Sequence, residues 1–319
     1  MKLGFAVQVL GQPGLKPNDT RRWQNNPHLS VSLAYLRDIL VHLRQIDVHM
    51  YRLSSDLAPY VTHPDLPQFH NQIAQCQDEL AALGEFVRQD RLRLSFHPGA
   101  HAILNAQDPA ITAKAIDDLC ALASILDHMH LGPEAVIVIH VGGQYGDKPS
   151  SMQRFVDRYL VLDEPLQRRL VLENDDRVYT VGDTLAVHRQ TGIRVVFDRL
   201  HNQCNPTPGL NERDALRLAL DTWSEGEKPK IHFSSPRTSM NLSRRGSGAD
   251  RQYGAREPRL SHHADLIDPF SFVEFLRSAA GDHDFDVMLE CKAKDIALLR
   301  LRRYLVRLAP DLVASHQIS

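Results

Sequence analysis

The sequence predicts a single (β/α)8 barrel of the TIM type, and three observations carry that expectation. Short apolar runs rich in Val, Ile and Leu recur eight times, separated by longer amphipathic segments. Nearly every run ends in His, Asp, Glu or Lys. No GxGxxG follows the first run, which removes the strongest mark of a doubly wound open sheet. An open sheet would spread such polar ends along an edge, whereas a barrel gathers all eight carboxyl ends at one mouth.

The expected strands lie at 3–9 (LGFAVQV), 48–54 (VHMYRLS), 92–97 (LRLSFH), 135–141 (AVIVIHV), 169–173 (RLVLE), 194–198 (RVVFD), 229–234 (PKIHFS) and 286–291 (DVMLEC). In the first intervening helix, Leu29, Leu33, Leu36, Leu40 and Leu43 step by three or four along one face. Asp108 as N-cap and Pro109 in the first turn start another helix. Asn211 caps a further one over 211–222. Residues 236–262 break the rhythm: they lack apolar periodicity and hold six arginines against Asp250 and Glu257. This stretch reads either as a solvated loop or as a flexible basic arm that meets phosphates. The ending ASHQIS reads as a short flexible tail on the one barrel domain, 1–319.

A chain of 319 residues that is 43% hydrophobic can bury a full-sized core. Its net charge of −2 excludes a global field that would drag it onto nucleic acid, so any such contact needs a local basic patch. The longest apolar stretches, about eight residues, are too short for a membrane span. MKLGFAVQVLGQPG reads as a first strand rather than a signal peptide. Cys76, Cys120, Cys204 and Cys291 stand far apart with no CxxC, which suits buried free thiols in a reducing cytoplasm. The Cys291 side chain should face the helices and stay inert.

The strand ends carry the chemistry. They bring His97, His140, Glu173, Asp198 with His201, Lys230 with His232, and Glu290; His63 follows the second strand and His263 the basic stretch. One strand-end histidine is ordinarily structural. Nine His, Asp and Glu positions around one mouth would crowd charge that a divalent metal relieves. Imidazole and carboxylate without thiolate suit Mn, Zn, Co or Fe. Lys230 and His232, two apart on a strand, share the barrel interior. Lys230 is either a cation balancing carboxylates or, carbamylated, an added anion. No GxSxG and no Cys/His pair points to covalent catalysis.

The blocks HPG at 97–99, IHVGGQYGDK at 139–148, LEND at 172–175, FDRLHN at 197–202, KIHFSS at 230–235 and LECKAKD at 289–295 resemble the UV damage endonucleases. RLSSDLAPYVTHP at 52–64 and HAD at 263–265 go with them, in the right order over roughly 1–300. The resemblance implies a barrel like that of endonuclease four and xylose isomerase, with up to three divalent metals, usually Mn2+, with Zn2+, Co2+ or Mg2+ as alternatives. The ligand positions it implies are His63, His97, His140, Glu173, Asp198, His201, His232, His263 and Glu290, with Lys230 at the position of a lysine that can be carboxylated. Glu173, Lys230 and Glu290 are then the catalytic candidates, Glu173 and Glu290 as metal bridges, with Asn174 or Asp175 behind them. The implied reaction is hydrolysis of the phosphodiester immediately 5′ to a damaged nucleotide, leaving 3′-hydroxyl and 5′-phosphate. The implied partner is damaged double-stranded DNA, met by a monomer in the cytoplasm, at the nucleoid of a prokaryote, with no membrane. The DNA-binding candidates are Arg237, Arg244, Arg245, Arg251 and Arg256 on phosphates, with Gln144 and Tyr145 near the mouth. One departure stands out. Where the family has Gln and an aromatic that wedge into the duplex, this chain has Ala100 and His101. A sugar isomerase or epimerase on the same barrel, and a lesion binder that has lost cleavage, are the competing readings.

Overall fold

The computed structural model describes residues 1–99, 101–245, 252–280 and 283–318. Eight parallel strands form the expected barrel. Seven come in succession: β1 (Leu3–Ala6), β2 (Met50–Arg52), β3 (Arg93–Phe96), β4 (Val136–Ile139), β5 (Leu170–Glu173), β6 (Arg194–Val196) and β7 (Lys230–Phe233). A hairpin of β8 (Asn241–Arg245) and β9 (Gln252–Arg256) intervenes before the eighth barrel strand, β10 (Asp286–Leu289). Each barrel strand falls inside its expected range and is shorter than it. Their order is β6-β5-β4-β3-β2-β1-β10-β7. A parallel bridge between Asp198 and His232 draws β7 back to the end of β6, with His232 N donating to Phe197 O at 2.9 Å.

Strand alternation explains what fills the barrel. Val136, Val138, Val171 and Val196 pack with Trp223 in a small cluster of their own, while Ile137, Ile139, Leu170, Leu172 and Val195 join the large core under the helices. Alternate residues therefore point to the axis. Adding two to Val138, Val171 and Val196 gives His140, Glu173 and Asp198; adding two to Met50 and Met288 gives Arg52 and Glu290. Apolar packing thus ends one step below the mouth and polar side chains begin there. β1 approaches closely at Gly4, where a Cβ would lie 2.7 Å from Met50 Cγ.

The helix Leu29–Gln45 buries all five leucines of the predicted stripe. Asp108 accepts from Ala110 N at 2.8 Å to cap Pro109–His128, and Asn211 accepts from Asp214 N at 2.9 Å to cap Glu212–Leu220. Among the described residues no helix is long and apolar enough to cross a membrane.

Three expectations need correction. The basic stretch is not a plain loop: β8 and β9 pair antiparallel from Asn241 opposite Arg256 to Arg245 opposite Gln252. Backbone pairing alone defines a ribbon of this kind, and apolar alternation is not required to form it. The tail continues as a helix, Pro310–His316, and the Met1 amine donates to His316 O at 2.6 Å. The cysteines are free, but Cys120 is exposed and Cys204 half-buried; only Cys76 and Cys291 are buried.

Candidate metal centre

Glu173, the last residue of β5, is fully buried at the mouth and lies at the centre of a ring of imidazoles. Its Oε1 lies 2.7 Å from His232 Nδ1 and 3.6 Å from His201 Nδ1. Its Oε2 lies 3.1 Å from His97 Nε2 and 3.6 Å from His140 Nε2. Burial works to raise its pKa, but the His232 and His140 charges hold it well below the usual carboxylate range. Glu290, two residues past Met288, lies 3.3 Å from His232 Nδ1 through Oε1 and 3.7 Å from His263 Nε2 through Oε2.

Two donor groups share this space. His97, Glu173, His232 and Glu290 each offer one atom within 4.8 Å of the others, and Glu173, Asp198 and His201 do the same. Glu173 belongs to both. Asp198 also caps the helix Arg199–Cys204, accepting from His201 N at 2.8 Å, which turns His201 toward the mouth. Asn174 ties β5 to β6: its side-chain nitrogen donates to Asp198 O at 3.0 Å and its oxygen accepts from Asp198 N at 2.9 Å. His97 Nδ1 pairs with Val138 O at 3.0 Å, which leaves Nε2 aimed at Glu173.

The donor set fits divalent cations. Among the described residues, Asp198 Oδ2, His140 Nδ1 and His263 Nδ1 are buried without a hydrogen-bond partner, and orphaned polar atoms of this kind cost free energy unless a ligand meets them. Burial raises the Asp198 pKa, and lowers those of His140, His263 and His232, the last to about 4. Burial also works against a charged His201, yet Asp198, Glu173 and Glu290 together raise its pKa to about 9. Neutral imidazoles beside carboxylates are the form that binds metal.

Lys230 points to the axis one alternation below His232, fully buried, its Nζ without a hydrogen-bond partner among the described residues. Burial, with Arg52 and Arg93 nearby, holds its pKa well below the usual lysine range. Sequence reasoning missed Arg52. It is buried at the end of β2, where Nη2 donates to His232 Nε2 at 2.9 Å and meets Glu290 Oε1 at 2.5 Å. Its signal was available: it stands two residues after Met50, on the inward phase of its strand.

The remaining expected residues lie around the cluster. His63 stands apart, its ring 6.1 Å from Tyr60, in a cleft of about 610 Å³ that His101, Lys114 and Arg21 also line. A second cleft of about 980 Å³ is lined by His201, His263, Arg177, Arg259 and Lys292. Gln144 and Tyr145 are exposed on the loop after β4, Tyr145 in the left-handed region at φ 49°. Asp175 does not face the cluster; it accepts from the backbone nitrogens of Arg177, Val178 and Tyr179 and shapes its own loop. Arg237 is half-buried and Arg256 exposed. Arg244 and Arg245 lie on β8, and Ala100 and Arg251 fall outside the described residues.

Residues 25–314 match the model of the UV-endonuclease UvdE family. The chain belongs to that family. The UV DNA damage endonuclease of Bacillus velezensis is 37% identical over 278 residues, which span 86% of this chain and 81% of that one. The crystal structure of SacUVDE superposes with a TM-score of 0.81 at 28% identity, covering 97% of this chain and 99% of the other. Endonuclease IV from Thermus thermophilus shares the fold, with a TM-score of 0.55 at 14% identity over 96% of this chain and 100% of that one. Within the UvdE family fold, the mouth cluster occupies the carboxyl end of the strands, where barrel enzymes keep their active sites.

Proposed function

We propose that this UvdE-family chain is a metal-dependent DNA repair endonuclease. It hydrolyses the phosphodiester immediately 5′ to a damaged nucleotide, a pyrimidine dimer or an abasic site, and leaves 3′-hydroxyl and 5′-phosphate. The observation that carries the reading is Glu173, buried and common to two donor groups, at the mouth of a barrel matched to the family over 25–314.

His97, Glu173, His232 and Glu290 would hold one cation, and Glu173, Asp198 and His201 another, with Mn2+ first among candidates. His140 and His263 border both positions, while His63 stands apart in its own cleft. When bound, such cations offset phosphate charge and lower the pKa of water near the scissile bond. The protein supplies the rest. Arg52 holds Glu290 and His232 in place, and Asn174 locks the strand that carries Asp198. Burial favours the uncharged amine of Lys230, the form that takes up carbon dioxide to become an anion behind the cluster. The two clefts give a strand its path. Arg177, Arg259 and Lys292 line the larger cleft, where phosphates meet positive charge, while in the smaller one Arg21 and Lys114 are paired with Asp19 and Asp118. The β8–β9 hairpin adds further arginines, and damaged DNA, being easier to deform, follows this bent path at lower cost.

The test is a duplex with one cyclobutane pyrimidine dimer, end-labelled on the damaged strand and incubated with Mn2+. The expected product is a single nick 5′ to the dimer with a ligatable 3′-hydroxyl. Absence of nicking on this and on abasic duplexes would remove the proposal.

A further inference from the structure

Resting on that reading, we infer that Trp23, two residues along the chain from Arg21 in the lining of the smaller cleft, is a nucleobase-stacking residue that takes the face of a base unstacked at the lesion.

Trp23 opens the short turn Trp23–Asn25, which contains no buried residue, and is 46% exposed. Tryptophan is highly buried on average, so a large indole left open to water on an ordered loop calls for a partner. The loop itself is braced. Asp19 is buried, and its carboxylate takes Arg21 Nη2 at 2.6 Å and His28 N at 3.0 Å; its own N donates to Ser32 Oγ at 2.9 Å. The Arg21 guanidinium also reaches Asn26 O at 3.3 Å, closing the arch over the turn. Asn18 Nδ2 donates to Asp56 O at 3.2 Å and anchors the arch to the loop after β2. The indole is therefore presented by a stiff support, which lowers the ordering cost of any stack it makes.

Its neighbours say what it would meet. Asn18 through Arg21 line the same cleft as His63, Lys114, Asp118 and Pro98, the residue after the cluster's His97. Arg21 and Arg22 precede the indole directly, and Arg22 is exposed. Cation next to aromatic at the edge of a groove is the pairing by which proteins hold unpaired nucleotides: phosphate on the cation, base on the ring. A paired base has both faces covered by its neighbours. Only a base displaced from the stack offers a free face, which makes this a contact to damaged rather than intact duplex.

The protein contains two tryptophans. The other, Trp223, is buried in the barrel beneath the Arg93 and Arg194 guanidinium groups, at 5.7 and 5.0 Å. Indole emission quenched by DNA therefore reports Trp23. The full-length protein is titrated with a dimer-containing duplex whose linkage 5′ to the lesion is a phosphorothioate, and with the undamaged duplex. The lesion duplex should quench emission. Trp23→Ala should weaken lesion binding about tenfold or more while changing undamaged-duplex binding less than about twofold, and Trp23→Phe should restore most of the loss. Emission unchanged at saturation, or lesion affinity of Trp23→Ala within about twofold of the unsubstituted chain, would overturn the inference. Dimer nicking by the unsubstituted protein separates the two failures: nicking without a Trp23 effect refutes this contact alone, whereas no nicking refutes the endonuclease reading.

Discussion

The two ends of the barrel treat buried charge differently. At the closed end Arg93 and Asp286, both 2% exposed, pair at 2.9 Å. Asp286 also accepts from Lys2 N at 2.8 Å, and Arg93 donates to Pro229 O at 3.1 Å and lies over Trp223. Arg194 meets Glu227 at 2.9 Å beside them. At the mouth, among the described residues, three carboxylates, Glu173, Asp198 and Glu290, face the Arg52 guanidinium, His201, whose pKa they raise to about 9, and His232, His140 and His263, whose burial favours the neutral form. Charge is matched one to one at the bottom, whereas at the top three carboxylates share two cations and Asp198 keeps an unpartnered oxygen. A matched buried pair fixes the fold, since removing either partner strands the other. A surplus of buried anions costs stability and is sustained where a cation is to be bound. The comparison teaches that the bottom serves folding and the mouth serves chemistry, and substitutions at the two ends should separate those roles.

The largest effect is expected at the mouth. Glu173→Gln should lower nicking by about 100-fold or more, beyond the loss typical for residues that merely support metal ligands, while lesion-duplex affinity stays within about threefold because no phosphate contact is removed. Nicking rates and binding isotherms measured on the same preparations decide it, and equal rates for both proteins would break the assignment of Glu173.

Next comes the closed end. Asp286→Asn should cost about 3–5 kcal/mol in urea unfolding and leave the rate per folded molecule unchanged. The pH dependence has a definite sign. Burial opposes it, but Arg93 and the Lys2 backbone hold the Asp286 carboxyl below its ordinary value in the folded chain. Its contribution is therefore fully present above the unfolded carboxyl value and is lost as pH falls through the lower, folded one. Unfolding free energies measured down through the acid range should fall less steeply for Asp286→Asn than for the parent.

Mn2+ sharpens the contrast further. At 100 times its dissociation constant a single site adds about 2.7 kcal/mol, so the melting temperature of the parent and of Asp286→Asn should rise alike while that of Glu173→Gln stays flat. A rise of equal size in Glu173→Gln would place the metal elsewhere. The smallest effect concerns thiols. Burial pushes the Cys291 pKa up to about 12, whereas Cys120 is exposed. Mass spectrometry after brief iodoacetamide treatment at about pH 8 should find Cys120 alkylated, Cys291 intact and activity retained.

The barrel was legible because parallel strands covered on both faces must be continuously apolar, so VIVI at 136–139 and LVLE at 170–173 announce themselves. The site was legible in part for the same reason: a carboxylate closing such a run, as Glu173 does, has nowhere to go but the mouth. Which strand ends touch depends on strand stagger, and sequence does not carry it. His63 follows its strand by a loop and lands in a side cleft, while Arg52 lands inside the cluster. The β8–β9 hairpin was illegible because its pairing is carried by the backbone and its sequence shows no apolar alternation, and the helix Pro310–His316 because its anchor, Met1, lies at the other end of the chain.

A calorimetric titration of Mn2+ into chelator-stripped protein tests the central claim most directly. Saturable binding of more than one ion per chain by the parent, reduced in Glu173→Gln, is the predicted result. No saturable binding, or identical isotherms for the two proteins, would contradict it.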